Sequence, residues 1–305
     1  MNILFILIHI LIIVSNVYSL KWNTLKDNTW YWKNSNINYI CEEKSKKCNK
    51  NTSILLIHGF GANSYHWRHN IKELSENYNV YAIDLIGFGK SDKPINIDYN
   101  INLWTQQTQD FIDEVIKQDT IVIGNSLGGC IAVNASEHKL IKSIILLNSF
   151  VIINDSNPIF HFSNSFIRIC VNWLMPIYIN NINNKDAIKN ILLQVYPVVP
   201  NKIDIDLINS IKYPLDFPDI QFIITNIAEN FLNNKNNMIN IMKNNEKPWY
   251  ILWGKKDPWI HNSMAETILK SNKHTLLEYV DAGHCPHDEI PEIINKKIET
   301  YLSLL

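Results

Sequence analysis

The strongest constraint on the fold is an alternation in the sequence. Short runs rich in Ile, Leu, Val and aromatics occur at Ser53 to His58, Val80 to Leu85, Thr120 to Asn125, Ser143 to Asn148, Trp249 to Trp253 and Thr275 to Val280. Longer amphipathic stretches lie between and after them, at Trp67 to Asn77, Asn102 to Lys117, Leu127 to His138, Met264 to Lys270 and Asp288 to Leu304. A continuous apolar run of strand length has both faces covered, as in a parallel sheet. Strand alternating with helix gives an open α/β architecture. The expected fold is α/β, a mainly parallel sheet flanked by helices.

The alternation breaks once. From Phe150 to Glu246 there is no strong strand, only helical pieces interrupted by Pro158, Pro176, Pro197, Pro200, Pro214 and Pro218. This segment reads as a helical cap inserted before the last two strands, dividing the core into residues 20–149 and 247–305 around a lid of 150–246. Its aromatics (Phe160, Phe162, Phe166, Trp173, Tyr178, Phe217, Phe222, Phe231) exceed what a solvated linker carries. Most would glue the lid to the core, and some are candidates to line an apolar cavity beneath it.

Lys plus Arg number 28 against 29 Asp plus Glu, a net charge of −1. That balance argues against a protein that neutralises a nucleic-acid backbone, which needs a basic surface. The apolar run Ile3 to Val14 is too short for a bilayer span but suits the core of a signal peptide. Cleavage after Ser19 is expected, with entry to the secretory route and an extracellular or lumenal destination. The n-region carries no Lys or Arg, so an uncleaved anchor is the alternative. Five cysteines are an odd number. Cys41 and Cys48 could close a hairpin disulfide in an oxidising lumen, whereas Cys130 and Cys170 sit in apolar settings that suit buried thiols. Cys285 lacks a partner motif. No zinc-ligand spacing occurs, and neither metal nor other cofactor is expected.

The chemistry concentrates at Gly124-Asn125-Ser126-Leu127-Gly128-Gly129, a G-x-S-x-G sequence at the junction of an expected strand and helix. A sharp strand-to-helix turn strains the serine backbone and tolerates almost no side chain two residues either side, a demand that Gly124 and Gly128 meet. The bland alternative is an ordinary N-cap serine opening a Gly-rich helix. A serine hydroxyl is a weak nucleophile and needs a base and an orienting acid. After the expected strand ending at Asn148 there is no carboxylate. The next one runs into Trp253-Gly254-Lys255-Lys256-Asp257-Pro258-Trp259, so Asp257 is the candidate acid and Asp281, at a strand end, a structural residue. Past the last strand, Gly283-His284-Cys285-Pro286-His287 offers two histidines. His284 is the candidate base; His287 is expected to begin the last helix and make local hydrogen bonds. Oxyanion donors are expected from the N–H of Leu127 and, in His58-Gly59-Phe60-Gly61, that of Phe60. His58 is expected to be buried and bonded within its loop, and Asp84 to brace its own turn, which shapes the floor under the oxyanion loop. Gly59, Trp173 and Trp259 are candidate substrate contacts.

With these residues placed, the chain resembles the α/β-hydrolase superfamily from about Thr29 onward. More narrowly it is similar to the plastid-type hydrolases of plants and algae that include pheophytinase. The stretches that carry the likeness are Trp30 to Trp32 with Ile37 to Tyr39, His58 to Asn63 with His66 to Arg68, Tyr81 to Pro94, Gly124 to Gly129, Lys142 to Asn148, Leu252 to Gly254 with Asp257 to Ile260, and Ala282 to Glu289. The resemblance implies a metal-free serine esterase, acting on a carboxylic ester with an apolar or lipid-like acyl part. A plastid-type organelle reached through the secretory route is then an alternative destination. The lid matches no pattern of that group, which leaves chlorophyll-type substrates unsupported. Epoxide hydrolases and haloalkane dehalogenases of the superfamily carry Asp where this chain has Ser126. A thioesterase, a carbon–carbon bond hydrolase or a ligand-binding receptor on the same scaffold keeps the triad and stays open. The apolar cap is a candidate for peripheral membrane contact.

Overall fold

In a computed structural model of the chain the described residues are 25–44, 52–152, 181, 183–232 and 238–305. Residues 1–19, expected to form a signal peptide, lie outside them, as do Cys48, Cys170, Trp173, the lid aromatics from Phe160 to Tyr178 and the Phe231 side chain.

Eight strands form one sheet: β1 (Asp27–Trp32), β2 (Ser35–Glu42), β3 (Ser53–Ile57), β4 (Asn79–Ile83), β5 (Thr120–Asn125), β6 (Ile141–Leu147), β7 (Trp249–Gly254) and β8 (Thr275–Val280). Their order is β1-β2-β4-β3-β5-β6-β7-β8. All pairs from β4 to β8 are parallel; β1 and β2 are antiparallel additions at one edge. The helices are α1 (Arg68–Leu74), α2 (Ile101–Phe111), α3 (Leu127–Ala135), α4 (Lys185–Val195), α5 (Ile205–Lys212), α6 (Ile220–Leu232), α7 (Met238–Asn244), α8 (Asn262–Ser271), α9 (Pro286–Glu289) and α10 (Pro291–Leu302).

The continuous apolar strands are explained by two cores. Alternate residues point to opposite faces, so Leu55, Ile57, Val122, Ile144 and Ile251 join one apolar cluster with α3 residues such as Ile131. Ile54, Leu56, Ile123, Ile145 and Leu252 join the other, with Ile71 and Leu74 of α1 and Ile294 and Ile298 of α10. A third cluster, Ile188, Leu192, Val195, Tyr196, Leu207, Ile208 and Cys285, ties the inserted helices to the loop after β8. Helices α4 to α7 do fall between β6 and β7, where the long strand-free segment places them.

Two elements differ from the sequence expectation. Strands β1 and β2 pair through a turn at Lys33 and Asn34, both at positive φ (46° and 63°), without the glycine that usually marks such a turn. Within β1 the exposed Tyr31 separates buried Trp30 and Trp32, whose indole N–H groups donate to Glu114 and Asp110 at 2.9 and 2.8 Å. The last helix is also split. Pro286 and Pro291 each lack an N–H and suit a helix start, so a four-residue turn, α9, precedes α10.

Candidate active site

Ser126 sits between β5 and α3 at φ 54°, ψ −115°, a region costly for a residue with a Cβ. The surroundings enforce it. A Cβ on Gly124 would lie 2.3 Å from the Gly128 carbonyl carbon, and one on Gly128 would lie 2.1 Å from the Ile57 oxygen. The Ser126 N–H donates to Leu147 O at 3.1 Å, and Ser126 O accepts from Phe150 N–H at 3.2 Å. The serine makes no side-chain cap bond to the helix it precedes. An N-cap serine in the ordinary sense is therefore excluded, and the hydroxyl is left for other work.

His284 and Asp257 come together from loops at the ends of β8 and β7. The His284 Nδ1 lies 2.7 Å from Asp257 Oδ2. Trp259 and Ile260 N–H donate to Oδ1 at 2.8 and 3.0 Å, and Asn148 Nδ2 donates to Oδ2 at 2.8 Å. Burial alone would raise the Asp257 pKa. The hydrogen bond and charge of His284, with the two backbone donors, outweigh it and hold the carboxyl below its usual range. With a carboxylate at Nδ1, that nitrogen carries the proton and Nε2 is left as the basic one. Glycine at 254 is required by close approach, since a Cβ there would meet Gly283 O at 2.1 Å.

Asp281 is exposed and pairs with Lys256 at 2.9 Å. His58 is buried, with Nδ1 2.7 Å from Gly59 O and Nε2 accepting the Leu85 N–H. Asp84 does brace its turn, taking Lys90 N–H at 2.8 Å, and also the Ser64 N–H at 2.6 Å beyond the candidate oxyanion loop. His287 departs from the expectation of local hydrogen bonds. Among the described residues neither ring nitrogen has a hydrogen-bond partner, and the ring lies on Trp67 with centroids 4.0 Å apart.

Gly59, Phe60, Ser126, Trp259 and His284 all line one cavity of about 320 Å³. Its far wall is aliphatic, from Ile188, Ile191, Leu192 and Val195 of α4, Leu215, and Ile220, Ile224 and Ile227 of α6. Phe60 and Trp259 are half-exposed at 50% and 54%, and the Trp259 ring lies 4.9 Å from the His284 ring. Leu127 opens α3, so its own N–H has no preceding turn of helix to bond to.

Sequence reasoning missed the two asparagines that hold these loops. Asn125 Nδ2 donates to both Leu147 O and His284 O at 2.9 Å. Asn148, buried at φ 43°, donates to Asp257 and accepts the Gly254 N–H at 2.8 Å. The one signal in the sequence was its residue type at a strand end, because Asn tolerates a left-handed backbone better than most residues.

Behind the cavity lies a buried polar cluster. Asp288 accepts from Tyr196 Oη at 2.5 Å and faces Arg68 Nη1 at 2.7 Å, and His66 Nε2 is 2.7 Å from Tyr196 Oη. Burial, with the Arg68 charge next, lowers the His66 pKa to about 3, and burial carries His287 well below the usual value. Both rings are thus neutral in the fold but protonate when the chain unfolds. Between pH 6.5 and about 5 the unfolded state binds more protons, so stability falls on acidification there, by up to about 1.4 kcal/mol per pH unit for each histidine. Half-buried His69, also lowered, adds to this; Asp288, whose pKa is raised by burial, opposes it at lower pH. The expected result is a Tm that drops between pH 7 and pH 5. A flat or rising Tm over that range would contradict the neutral buried rings.

Among known proteins, residues 52–191 match the family model of the alpha/beta hydrolase fold. The chain has the α/β-hydrolase fold. It is similar to the chloroplastic pheophytinase of Arabidopsis thaliana, 25% identical over 80% of this chain and 59% of that protein, so it spans about three-fifths of that relative's length. It is also similar to epoxide hydrolase 4 of Mus musculus, 25% identical over 82% of this chain and 72% of the other. Among solved structures, a membrane phospholipase A, a bacterial virulence factor, superposes with TM-score 0.74 at 22% identity, covering 98% of this chain and 97% of that one. The epoxide hydrolase CorEH superposes with TM-score 0.75 at 17% identity, covering 92% and 99%.

Proposed function

We propose that this chain is a serine hydrolase that cleaves a carboxylic ester with an aliphatic acyl chain, by way of an acyl-enzyme. The observation that carries the reading is one cavity holding both Ser126, on its strained elbow, and His284, whose Nδ1 is held 2.7 Å from a four-times hydrogen-bonded Asp257. Ser126 Oγ attacks the acyl carbonyl and gives its proton to His284 Nε2. The N–H groups of Phe60 and Leu127 receive the developing oxyanion. The imidazolium, steadied by Asp257, then protonates the departing alkoxide. Water repeats the sequence on the acyl-enzyme, losing a proton to His284 and releasing the acid. No step calls for a metal or other cofactor.

The acyl preference follows from the cavity wall. Isoleucines and leucines offer dispersion and desolvation to a hydrocarbon chain but no hydrogen bond to a polar one. Hydrolysis of an epoxide is disfavoured by the nucleophile. Ring opening by a serine hydroxyl would leave an ether, which has no carbonyl for water to attack, so the enzyme would not turn over.

The test is turnover of p-nitrophenyl esters from acetate to octanoate by the purified protein. The expected outcome is many cycles per molecule, with kcat/KM rising with chain length as apolar surface is buried. A single slow release event per molecule would instead point to a binding protein on a hydrolase scaffold.

A further inference from the structure

The stretch that leaves α4 and the loop that carries His284 share one buried carboxylate. Glu289, fully buried in α9, accepts the Gly283 N–H at 2.6 Å on one oxygen. Its other oxygen accepts the N–H groups of Val198 and Val199 at 2.6 and 2.9 Å. The His284 N–H itself donates to Val195 O at 3.1 Å. The approach is close enough that a Cβ on Gly283 would stand 2.3 Å from Val195 O and 2.4 Å from Pro197 Cδ. Tyr196 adds a side-chain link through its hydroxyl to Asp288 and His66. Residues 195–199 are thus a strap lying directly against the loop of the candidate base. The same α4 presents Ile188, Leu192 and Val195 to the cavity.

We propose that Glu289 is a positioning residue that makes the α4 wall and the His284 loop one rigid body, so that an acyl chain packed on that wall sets the imidazole for proton transfer. The proposal rests on the reading of Ser126 and His284 given above. It makes chain length a determinant of kcat as well as of binding, because contacts remote from the reacting bond are then used to orient the reacting groups. A short acyl group that never reaches α4 gains little from the coupling. Among the described residues, every group that hydrogen-bonds to the Glu289 oxygens is a donor. Glu289→Gln therefore places an amide NH2 against at least one N–H and loosens the strap without emptying the space.

The experiment compares kcat and KM for p-nitrophenyl acetate and octanoate in the wild-type protein and Glu289→Gln, with Tm and fluorophosphonate labelling measured on both. The expected result is a fall in octanoate kcat of about 10²-fold, the size that a small misplacement of reacting groups produces, a clearly smaller fall for acetate, and little change in octanoate KM. Equal losses for the two esters with a lower Tm would reduce Glu289 to a structural prop and overturn the proposal. So would a raised octanoate KM with kcat retained. Absence of labelling in both proteins would overturn the reading of Ser126 and the proposal with it, whereas labelling in both with unchanged octanoate kcat would overturn the positioning role alone. Should Glu289→Gln not fold, Tyr196→Phe carries the test. It removes the hydroxyl between His66 and Asp288, keeps the ring, and is expected to show the same chain-length split in smaller form; no split there overturns the proposal.

Discussion

Ser126→Ala is expected to lower kcat for ester hydrolysis by about 10⁶-fold, the order seen when the triad serine of a serine hydrolase is removed. The fold should survive. The Ser126 hydroxyl caps no helix, and the positive φ it occupies is imposed by Gly124, Gly128 and the backbone bonds to Leu147 and Phe150, none of which the substitution touches. The checks are the Tm and the rate with p-nitrophenyl esters at matched concentrations. A variant that folds and keeps more than a small fraction of the rate would place the nucleophile elsewhere. Among the described residues that line the cavity, Cys285 is the other one with nucleophilic chemistry. It is an unpromising one, because burial and the nearby Asp288, Asp257 and Glu289 raise its thiol pKa well above the usual value.

Asp257→Asn is the second large effect, a fall in kcat of about 10⁴-fold. The carboxylate accepts four hydrogen bonds, one of them from His284 Nδ1. An asparagine amide can turn its NH2 toward Nδ1, and the imidazole then carries its proton on Nε2, the nitrogen that has to receive one from Ser126. The loss therefore comes from the wrong tautomer with nearly unchanged geometry. The measurement is kcat, with the Tm to show that the fold is kept. A loss of only a few-fold would mean that another group orients His284. It would bring Asp281 back into consideration even though its carboxylate is exposed and paired with Lys256.

The parts of this architecture that depend on local sequence are legible in the amino-acid order alone. Thr120 to Asn125 and Trp249 to Trp253 are strands, with bounds right to within a residue, because a doubly covered strand needs an unbroken apolar run and such a run has few other uses. The elbow is legible for a similar reason, since its glycines answer a steric demand within five residues of chain. The β1–β2 hairpin is not. Its strands are half-exposed, its turn uses Lys33 and Asn34, and its tryptophans are held by Glu114 and Asp110, about eighty residues away.

The supporting shell of the site is hidden by the same kind of distance. Asn125 reaches the His284 carbonyl across 159 positions and Asn148 reaches Asp257 across 109. In a chain this rich in asparagine, two such residues hardly stand out from the rest. Glu289 and Asp288 look like the polar start of a surface helix in sequence. Both are fully buried because Arg68, Tyr196 and the backbone of residues 198 and 199 arrive from distant segments to meet them. His287, expected to bond locally, instead packs its ring on Trp67, since α1 brings that indole against α9.

Activation of the Ser126 hydroxyl by the His284 imidazole is tested most directly by the address of a covalent adduct. Treated with a fluorophosphonate and mapped by peptide mass, the wild-type protein should carry one adduct, on Ser126, and the His284→Ala variant should form it far more slowly. An adduct on any other residue, or labelling of Ser126 at the same rate without His284, would contradict the account.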